Sequence, residues 1–242
     1  MSAIALALTL STLLQYSNSV TNVTHCPTGC DCHLATSFSG SVTIYCGHIF
    51  PDVDAEQVFH QLDSLLSTNN IAKNLTSLRI VHTPLTRIPP SICQLLNLTS
   101  LHIQFNRNLT KLPDNCFTNL TKLVTLSLSD NSIDTLHEGL FDGLHTLVTL
   151  DLSHNSIVDV HNRSFDGLQS LATLDLSHNS IVRLQDWLFN GLQSLATLDL
   201  SYNSISGLQN TLFGVLQRLV ALNLSHNSIV GYRTGCLMVF RV

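Results

Sequence analysis

The chain has 242 residues, of which 44% are hydrophobic and only 11% are charged, and its formal net charge is −5. The apolar content is sufficient for a buried core, so Ser, Thr, Asn, Gln and His must supply most of the surface. No block of lysine and arginine occurs. The sequence therefore lacks the electrostatic footprint of a nucleic-acid-binding protein, and we expect no nucleic-acid partner.

Residues 1–19 are predicted to be a secretory signal peptide. They contain the apolar stretch from Ala3 to Leu14, followed by the small residues Ser17 and Ser19. Twelve residues suit the apolar region of a signal peptide and are too few to span a bilayer. No Lys or Arg precedes the stretch, and the alternative is an ordinary buried helix. No other segment is apolar for 18 residues, so we expect no membrane span in this chain.

Seven Asn-x-Ser/Thr sequons agree with export. Each is an acceptor for N-glycosylation, which requires a secreted chain and an exposed asparagine. We therefore predict glycosylation sites at Asn22, Asn74, Asn97, Asn108, Asn119, Asn162 and Asn223.

Residues 20–47 contain four clustered cysteines, Cys26, Cys30, Cys32 and Cys46. In an exported protein such a cluster indicates a disulfide framework. The alternative is a zinc site, but the spacing lacks paired knuckles and a closing histidine pair. We predict disulfides, no metal site and no cofactor, and three pairings are open from the spacing.

An internal repeat dominates the rest of the chain. Residues 170–182 read SLATLDLSHNSIV and residues 194–206 read SLATLDLSYNSIS, which differ at two positions. The period is 24 residues in the later copies, with looser copies before them. About seven units, the last incomplete, fill residues 75–230. Their first leucines are Leu75, Leu98, Leu123, Leu147, Leu171, Leu195 and Leu219, and we number the units 1 to 7 in this order.

Each unit predicts one short strand and a return segment. The alternation of Leu126 and Leu128 has the period of a half-buried strand. Ile133, Leu136 and Phe141 are spaced to fill the interior on the way back. One unit cannot bury its apolar face alone, so stacked units must pair their strands in parallel around a continuous core. The bulkier return side then places the strands on a concave surface.

An asparagine column accompanies the leucines. An Asn side chain both donates and accepts hydrogen bonds, so it can satisfy backbone groups where each strand bends away. None of these asparagines lies in a sequon, as an inward-facing column requires. The column is Asn106, Asn131, Asn155, Asn179, Asn203 and Asn227.

The repeat LxxLxLSxNSIxxLxxxxFxGLxx, together with CPTGCDC…VTIYC at residues 26–46, resembles the extracellular leucine-rich-repeat superfamily. Toll-like receptor ectodomains, variable lymphocyte receptors and neuronal adhesion proteins share this combination. The resemblance covers about residues 26–230. It implies an α/β solenoid, a leucine-rich-repeat horseshoe with a parallel concave β-sheet and a disulfide-stapled N-terminal cap. It also implies the pairs Cys26–Cys32 and Cys30–Cys46.

Residues 48–74 depart from the repeat and predict an irregular first unit. Either Asp52 or Asp54 is placed to cap a short helix that runs to Ser67. An apolar face follows from the helical spacing of Val58, Phe59, Leu62, Leu65 and Leu66.

Two further features concern cysteines and the end of the chain. Cys93 and Cys116 lie in adjacent units on the return side, offset by about two positions, so they are candidates for a disulfide; the alternative is two separate buried thiols. Residues 231–242 lack the cysteine-rich cap that the resemblance implies, and Cys236 is left as a single thiol. We expect an uncapped tail and an exposed last strand edge, as in a truncated or alternatively spliced product. A homodimer or a folded-back tail is the alternative.

The candidate ligand-binding residues lie on the concave face. The non-consensus residues of the early units combine an exposed aromatic with apolar and basic neighbours, a typical interface mixture. They are Arg79, Val81, His82, His102, Gln104 and Phe105. A second outward column is predicted to be Val81, Gln104, Ser129, Ser153, Ser177, Ser201 and Ser225. A carboxylate ladder of Asp151, Asp175 and Asp199 is also a candidate, although LDLSHN resembles the superfamily consensus and repeat duplication explains it.

We expect a secreted or cell-surface recognition module that binds an extracellular protein or glycan ligand, in innate immunity or cell adhesion. The alternatives are an extracellular-matrix structural protein and a fragment of a transmembrane leucine-rich-repeat receptor. We expect no enzymatic activity, because no nucleophile and base constellation, phosphate-cradling loop or closed pocket is apparent.

Overall fold

The computed structural model describes residues 30–34, 41–46, 54–67, 73, 75–209, 212–229 and 237–239. The predicted signal peptide, Asn22, Cys26, Asn74 and Cys236 lie outside the described residues. Both cap disulfides therefore stay predictions, although Cys30 and Cys46 are register partners in the backbone. No helix in the described part of the chain is long and apolar enough to cross a membrane.

Ten strands form one sheet in the spatial order β1-β2-β3-β4-β5-β7-β9-β10-β11-β12. The first pair and the last pair are antiparallel, and all pairs between them are parallel. The strands are β1 (Cys30–Leu34), β2 (Ser41–Cys46), β3 (Ser77–Val81), β4 (Ser100–Gln104), β5 (Thr125–Ser127), β7 (Thr149–Asp151), β9 (Thr173–Asp175), β10 (Thr197–Asp199), β11 (Ala221–Asn223) and β12 (Leu237–Val239). A separate two-stranded sheet pairs β6 (Thr135–Leu136) with β8 (Asp159–Val160) in parallel.

The solenoid predicted from the repeat is confirmed. Each of units 1 to 7 contributes one strand to the parallel part of the sheet, and equivalent leucines such as Leu150 and Leu174 are register partners. Both leucines are completely buried, as are Leu126 and Leu128. The same alternation in every unit produces one continuous apolar core.

A phenylalanine stack fills the return side of the core. Five rings, from Phe117 to Phe213, lie in sequence with centroids 5.9–6.3 Å apart, one ring from each of units 2 to 6. The chain passes closely over this stack at Gly143, whose φ is +84°. A Cβ atom there would lie 2.3 Å from the carbonyl oxygen of Thr118, so only glycine fits.

The asparagine column performs the predicted role. The Nδ2 of Asn203 donates to the carbonyls of Leu176 and Leu200, and its Oδ1 accepts from the backbone N–H of Ile181. Asn131 makes equivalent contacts with Ile103 and other backbone groups. The column therefore connects each unit to the one before it at the point where the strand ends.

The irregular first unit contains the predicted helix, α1 (Ala55–Ser67), and Asp54 caps it by accepting from the backbone N–H of Glu56 at 3.0 Å. Its buried face packs beside a short 3₁₀ helix, Pro90–Gln94. Arg87 lies 4.0 Å from the centre of the Phe59 ring and also pairs with Glu56. The helix thus extends the core of the repeats on the N-terminal side of unit 1.

The structure confirms one cysteine prediction and corrects one about the C-terminal edge. Cys93 and Cys116 form a disulfide. The edge of β11 was expected to be exposed, but β12 pairs antiparallel with it, Leu222 opposite Met238. The folded-back alternative therefore matches the backbone, because a returning segment satisfies hydrogen-bonding groups that a parallel solenoid would leave open.

Candidate recognition surface

The concave face of the sheet carries one column of side chains at the third position of each strand. Parallel pairing in register places these positions side by side. The column is Arg79, His102, Ser127, Asp151, Asp175, Asp199 and Asn223. It is basic or neutral in units 1 and 2 and acidic in units 4 to 6, so its two halves suit different ligands.

Arg79 and His102 form the polar part of the early patch. Arg79 is exposed, and His102 is half-buried with its Nε2 2.9 Å from the Oγ of Ser100. Burial lowers the pKa of His102 and the charge of Arg79 lowers it further, while Asp151 opposes them. His102 is therefore a neutral hydrogen-bonding group at neutral pH.

Two residues of the predicted patch are less available than expected. Val81 is only 8% exposed and belongs to the buried side chains of the sheet. Gln104 uses its amide to donate to the hydroxyls of Ser127 and Ser129, both at 2.9 Å. Val81 therefore offers little surface to a ligand, and Gln104 is a fixed polar group.

Phe105 and His82 form the aromatic part of the patch. Their rings stack with centroids 4.8 Å apart, and Phe105 is 43% exposed. Both residues have a positive φ, 58° and 53° respectively, because the backbone turns away there at the end of each strand. The left-handed backbone is what presents these rings at the edge of the concave face.

The serine column differs from its prediction. Ser129, Ser153, Ser177 and Ser201 are 4–8% exposed, and only Ser225 and Gln104 in that column are half-buried. Neighbouring strands lie close enough for small side chains to shield one another, and the preceding carboxylates fold over them. The outward surface of units 4 to 6 is therefore carboxylate, with the serines beneath.

The carboxylate ladder is held in place by those serines. Asp151 and Asp199 each accept from the backbone N–H and hydroxyl of the serine two residues on, and Asp175 accepts from the N–H of Ser177. Burial raises the pKa of the Asp175 carboxyl, and Asp199 and Asp151 on either side add to this, against the Ser177 hydrogen bonds. The described residues contain no group of three side chains that could hold a metal ion.

A second aromatic ladder was not predicted. His154, His178, Tyr202 and His226 stack with ring centroids 4.0–4.2 Å apart, and all four are exposed with a positive φ. The signal was present in the sequence as aromatic residues at one repeat position. The repeat position alone does not show that the rings face each other, which depends on the geometry of neighbouring units. Because each inner ring is covered on both faces, the ladder presents ring edges to a ligand.

Two predicted glycosylation sites have engaged amides. The Nδ2 of Asn223 donates to Asp199 and that of Asn97 donates to the carbonyl of Lys73. Asn108, Asn119 and Asn162 are exposed. A glycan on Asn223 would replace its contact with the carboxylate ladder.

Comparisons with known proteins agree with this architecture. The leucine rich repeat family matches residues 73–133, 96–157, 121–181, 145–205 and 169–229. The crystal structure of a TLR13-ssRNA13 complex is similar at 26% identity, with a TM-score of 0.54. The similarity covers 73% of this chain and 28% of that receptor chain, so this chain spans little more than a quarter of its length. No curated protein sequence matches. Five tandem matches on a solenoid of parallel strands show that the chain belongs to the leucine-rich-repeat family.

Proposed function

We propose that the chain is an extracellular recognition module that binds a protein or glycan ligand through the early part of its concave face. The observation that carries the proposal is Phe105, an exposed phenylalanine stacked on His82 beside Gln104. A preordered aromatic ring loses little conformational freedom on binding and offers a large apolar area, which is typical of interface anchors.

The polar groups near Phe105 form a polar rim around its ring. Arg79 supplies an exposed guanidinium, and His102 supplies a neutral imidazole at neutral pH. An aromatic centre with arginine beside it is the composition found at protein interfaces, and aromatic faces also pack against sugar rings. The predicted signal peptide, the sequons and the family resemblance support our proposal of secretion and of a role in innate immunity or adhesion, by analogy of fold.

We propose no catalytic role for this face. The carboxylates of Asp151 and Asp199 accept hydrogen bonds from Ser153 and Ser201 and, from neighbouring strands, from Ser127 and Asn223, with no histidine among those partners. An open curved surface excludes little water, whereas a reactive site needs a preorganised enclosure. A matrix component and a fragment of a longer receptor are the competing roles.

Single-stranded RNA is a second candidate ligand, because the similar TLR13 structure is a complex with ssRNA. This possibility goes against the expectation of no nucleic-acid partner. Three neighbouring carboxylates in units 4 to 6 repel phosphates, so an RNA strand would be restricted to units 1 and 2 near Arg79 and His102. RNA binding would weaken steeply with salt, and binding to a protein or glycan through Phe105 would not.

The test is to screen the secreted full chain against arrays of receptor ectodomains, glycans and short single-stranded RNAs. We expect protein or glycan hits that are lost with Phe105→Ser and weakened with Arg79→Gln. Val220→Thr, at a 57% exposed valine in unit 7, is the matched control and should change nothing. Hits confined to RNA would favour the second candidate, and hits that survive Phe105→Ser would reject the proposed surface.

A further inference from the structure

Units 4 and 5 lack one backbone hydrogen bond on the return side, although their rings Phe165 and Phe189 still stack. Just after each strand ends, a backbone hydrogen bond joins each of units 3 to 7 to the unit before it. The N–H of Ser180 donates to the carbonyl of Ile157, as the N–H of Ser156 donates to the carbonyl of Ile133. Two residues further along the chain, a second backbone hydrogen bond joins unit 4 to unit 3, from the N–H of Val158 to the carbonyl of Asp134 at 3.0 Å. It also joins unit 6 to unit 5, from Ser206 to Val182 at 3.4 Å.

Between units 4 and 5 this second bond is absent among the described residues, since Val182 does not donate to Val158. The small sheet of β6 and β8 also stops there, because Arg183 and Leu184 do not add a third strand. Among the described residues this bond is therefore missing between units 4 and 5, whereas it joins units 2 and 3, units 3 and 4, and units 5 and 6.

A half-enclosed cleft of about 680 Å³ lies at this joint. Its apolar wall consists of Val158, Val160 and Val182, and the first and third of these are 45% and 41% exposed. The volume is within the range of small-molecule sites, which combine apolar walls with a few polar groups. The other lining residues include Asp159 and Arg183, which supply the charges.

The charges of the cleft are unpaired. Arg183 makes no ion pair within the described residues, whereas Arg87 pairs with Glu56 and Arg163 pairs with Glu138 and Asp166. Asp159 lies at the same repeat position one unit earlier, and it forms no ion pair with Arg183. An exposed guanidinium without an ion-pair partner is available for a charge-assisted contact with an anion.

We propose that the cleft between units 4 and 5 binds a small amphiphile with an apolar chain and one anionic group. The apolar chain packs on Val158, Val160 and Val182, and the anion contacts Arg183. Asp159 on the opposite wall repels that anion and therefore limits the affinity. The cleft lies on the return side, so this site is independent of the concave recognition surface.

The test is calorimetric titration of the full chain with octanoate and, as an uncharged probe of the same length, octanol. We expect octanoate to bind about tenfold more tightly than octanol, since one charge-assisted contact distinguishes them. Arg183→Gln should reduce the affinity for octanoate by about tenfold and leave octanol unchanged. Asp159→Asn should increase the affinity for octanoate, because it removes a carboxylate that repels the anion. Its effect is therefore opposite in sign to that of Arg183→Gln.

Two controls separate the cleft from general binding to exposed apolar residues. Arg218→Gln removes another exposed arginine, the last residue of unit 6, and Val220→Thr removes another exposed valine, in unit 7. Neither change should affect octanoate binding. The single tryptophan, Trp187, follows the cleft by two residues after Gln185, and its fluorescence provides a second readout. Absence of octanoate binding, equal affinity for octanol, or equal losses with Arg183→Gln and Arg218→Gln would overturn the proposal.

Discussion

Arg79 and His102 occupy the same register position on adjacent parallel strands, β3 and β4. The guanidinium of Arg79 and the partial burial of the imidazole act in the same direction on the pKa of His102, and burial is the larger cause. The two residues therefore place one permanent cation and one neutral imidazole side by side at neutral pH. This charge pattern defines the polar part of the recognition surface.

The pKa of His102 should respond to its neighbour. Arg79→Gln removes a positive charge, so the pKa of His102 should rise toward its ordinary value without reaching it, because burial remains. Titration of the His102 ring protons by NMR measures this shift. Arg107→Gln, at an exposed arginine beyond the end of β4, is the matched control. An unchanged His102 pKa in Arg79→Gln would show that the guanidinium does not act on the imidazole.

The same shift makes stability depend on pH. Because the pKa of His102 is lower in the folded chain than in the unfolded chain, protonation of this histidine favours unfolding. Its contribution to the stability of the fold is therefore fully present above the ordinary histidine pKa. It is lost as pH falls from that value toward the depressed folded pKa. His102→Asn should therefore reduce the loss of stability on acidification across this window. Denaturant unfolding at a series of pH values measures the difference.

The carboxylate ladder should be destabilising at neutral pH. Asp175 has a raised pKa because of burial and because Asp199 and Asp151 flank it. Asp175→Asn keeps an acceptor for Ser177 and removes the central charge, so it should stabilise the fold by roughly 0.5 kcal/mol after solvent screening. The gain should vanish as pH falls below the ordinary carboxyl pKa, where the wild-type group is protonated in both states.

Thermal unfolding measures this effect, with a rise of about 1–2 °C expected at neutral pH and low salt. Asp142→Asn, at an exposed aspartate on the return side, is the control and should leave Tm unchanged. A lower Tm for Asp175→Asn at neutral pH would mean that the charge is stabilised by contacts stronger than the repulsion.

The asparagine column should be costly to interrupt. Asn203→Ala leaves the N–H of Ile181 and the carbonyls of Leu176 and Leu200 without their partner. Several buried backbone groups lose hydrogen bonds at once, so we expect a loss of about 2–4 kcal/mol in the free energy of unfolding. Asn190→Ala, at an exposed asparagine, should cost less than about 0.5 kcal/mol. Similar costs for both variants in urea unfolding would argue against the column as a stabilising device.

The Cys93–Cys116 disulfide should stabilise the early units. It closes a segment of 23 residues, and a loop of this length is expected to stabilise the folded state by about 3 kcal/mol through the unfolded chain. The double substitution Cys93→Ser with Cys116→Ser should lower the denaturation midpoint accordingly. Non-reducing peptide mapping of the wild-type chain should recover the two cysteines in one linked peptide. Two free thiols in that map would contradict the pairing.

The repeat made most of the fold predictable from the sequence. Leucine, phenylalanine and asparagine columns report burial directly, because each residue type recurs where the solenoid needs an apolar or a doubly hydrogen-bonding side chain. Local patterns also made Asp54 one of two candidate helix caps, and Cys93 with Cys116 a candidate disulfide, and the structure selects both. These features depend on residues within one unit or in adjacent units.

Features that depend on the packing of neighbouring units could not be predicted. Alternation along a strand predicts which side Ser153 occupies, but not that Asp151 folds over it. The stacking of His154 on His178 and the missing hydrogen bond between Val182 and Val158 both depend on the distance between two neighbouring units. Nearly identical repeats carry no visible sequence signal for that distance. The proposed ligand contacts are a few non-consensus residues, and an exposed aromatic beside an arginine does not identify one ligand class.

The use of the concave face is tested most directly with a glycan wedge. His102→Asn combined with Gln104→Thr creates an Asn-x-Thr sequon in the middle of β4, and a mass shift confirms its occupancy. The native sequon at exposed Asn119 is the control, and Asn119→Gln should leave ligand binding unchanged. With the full glycosylated chain screened on the protein and glycan arrays, we expect the wedge to abolish the binding that the wild-type chain shows. Binding that persists with the wedge occupied would contradict recognition through this face.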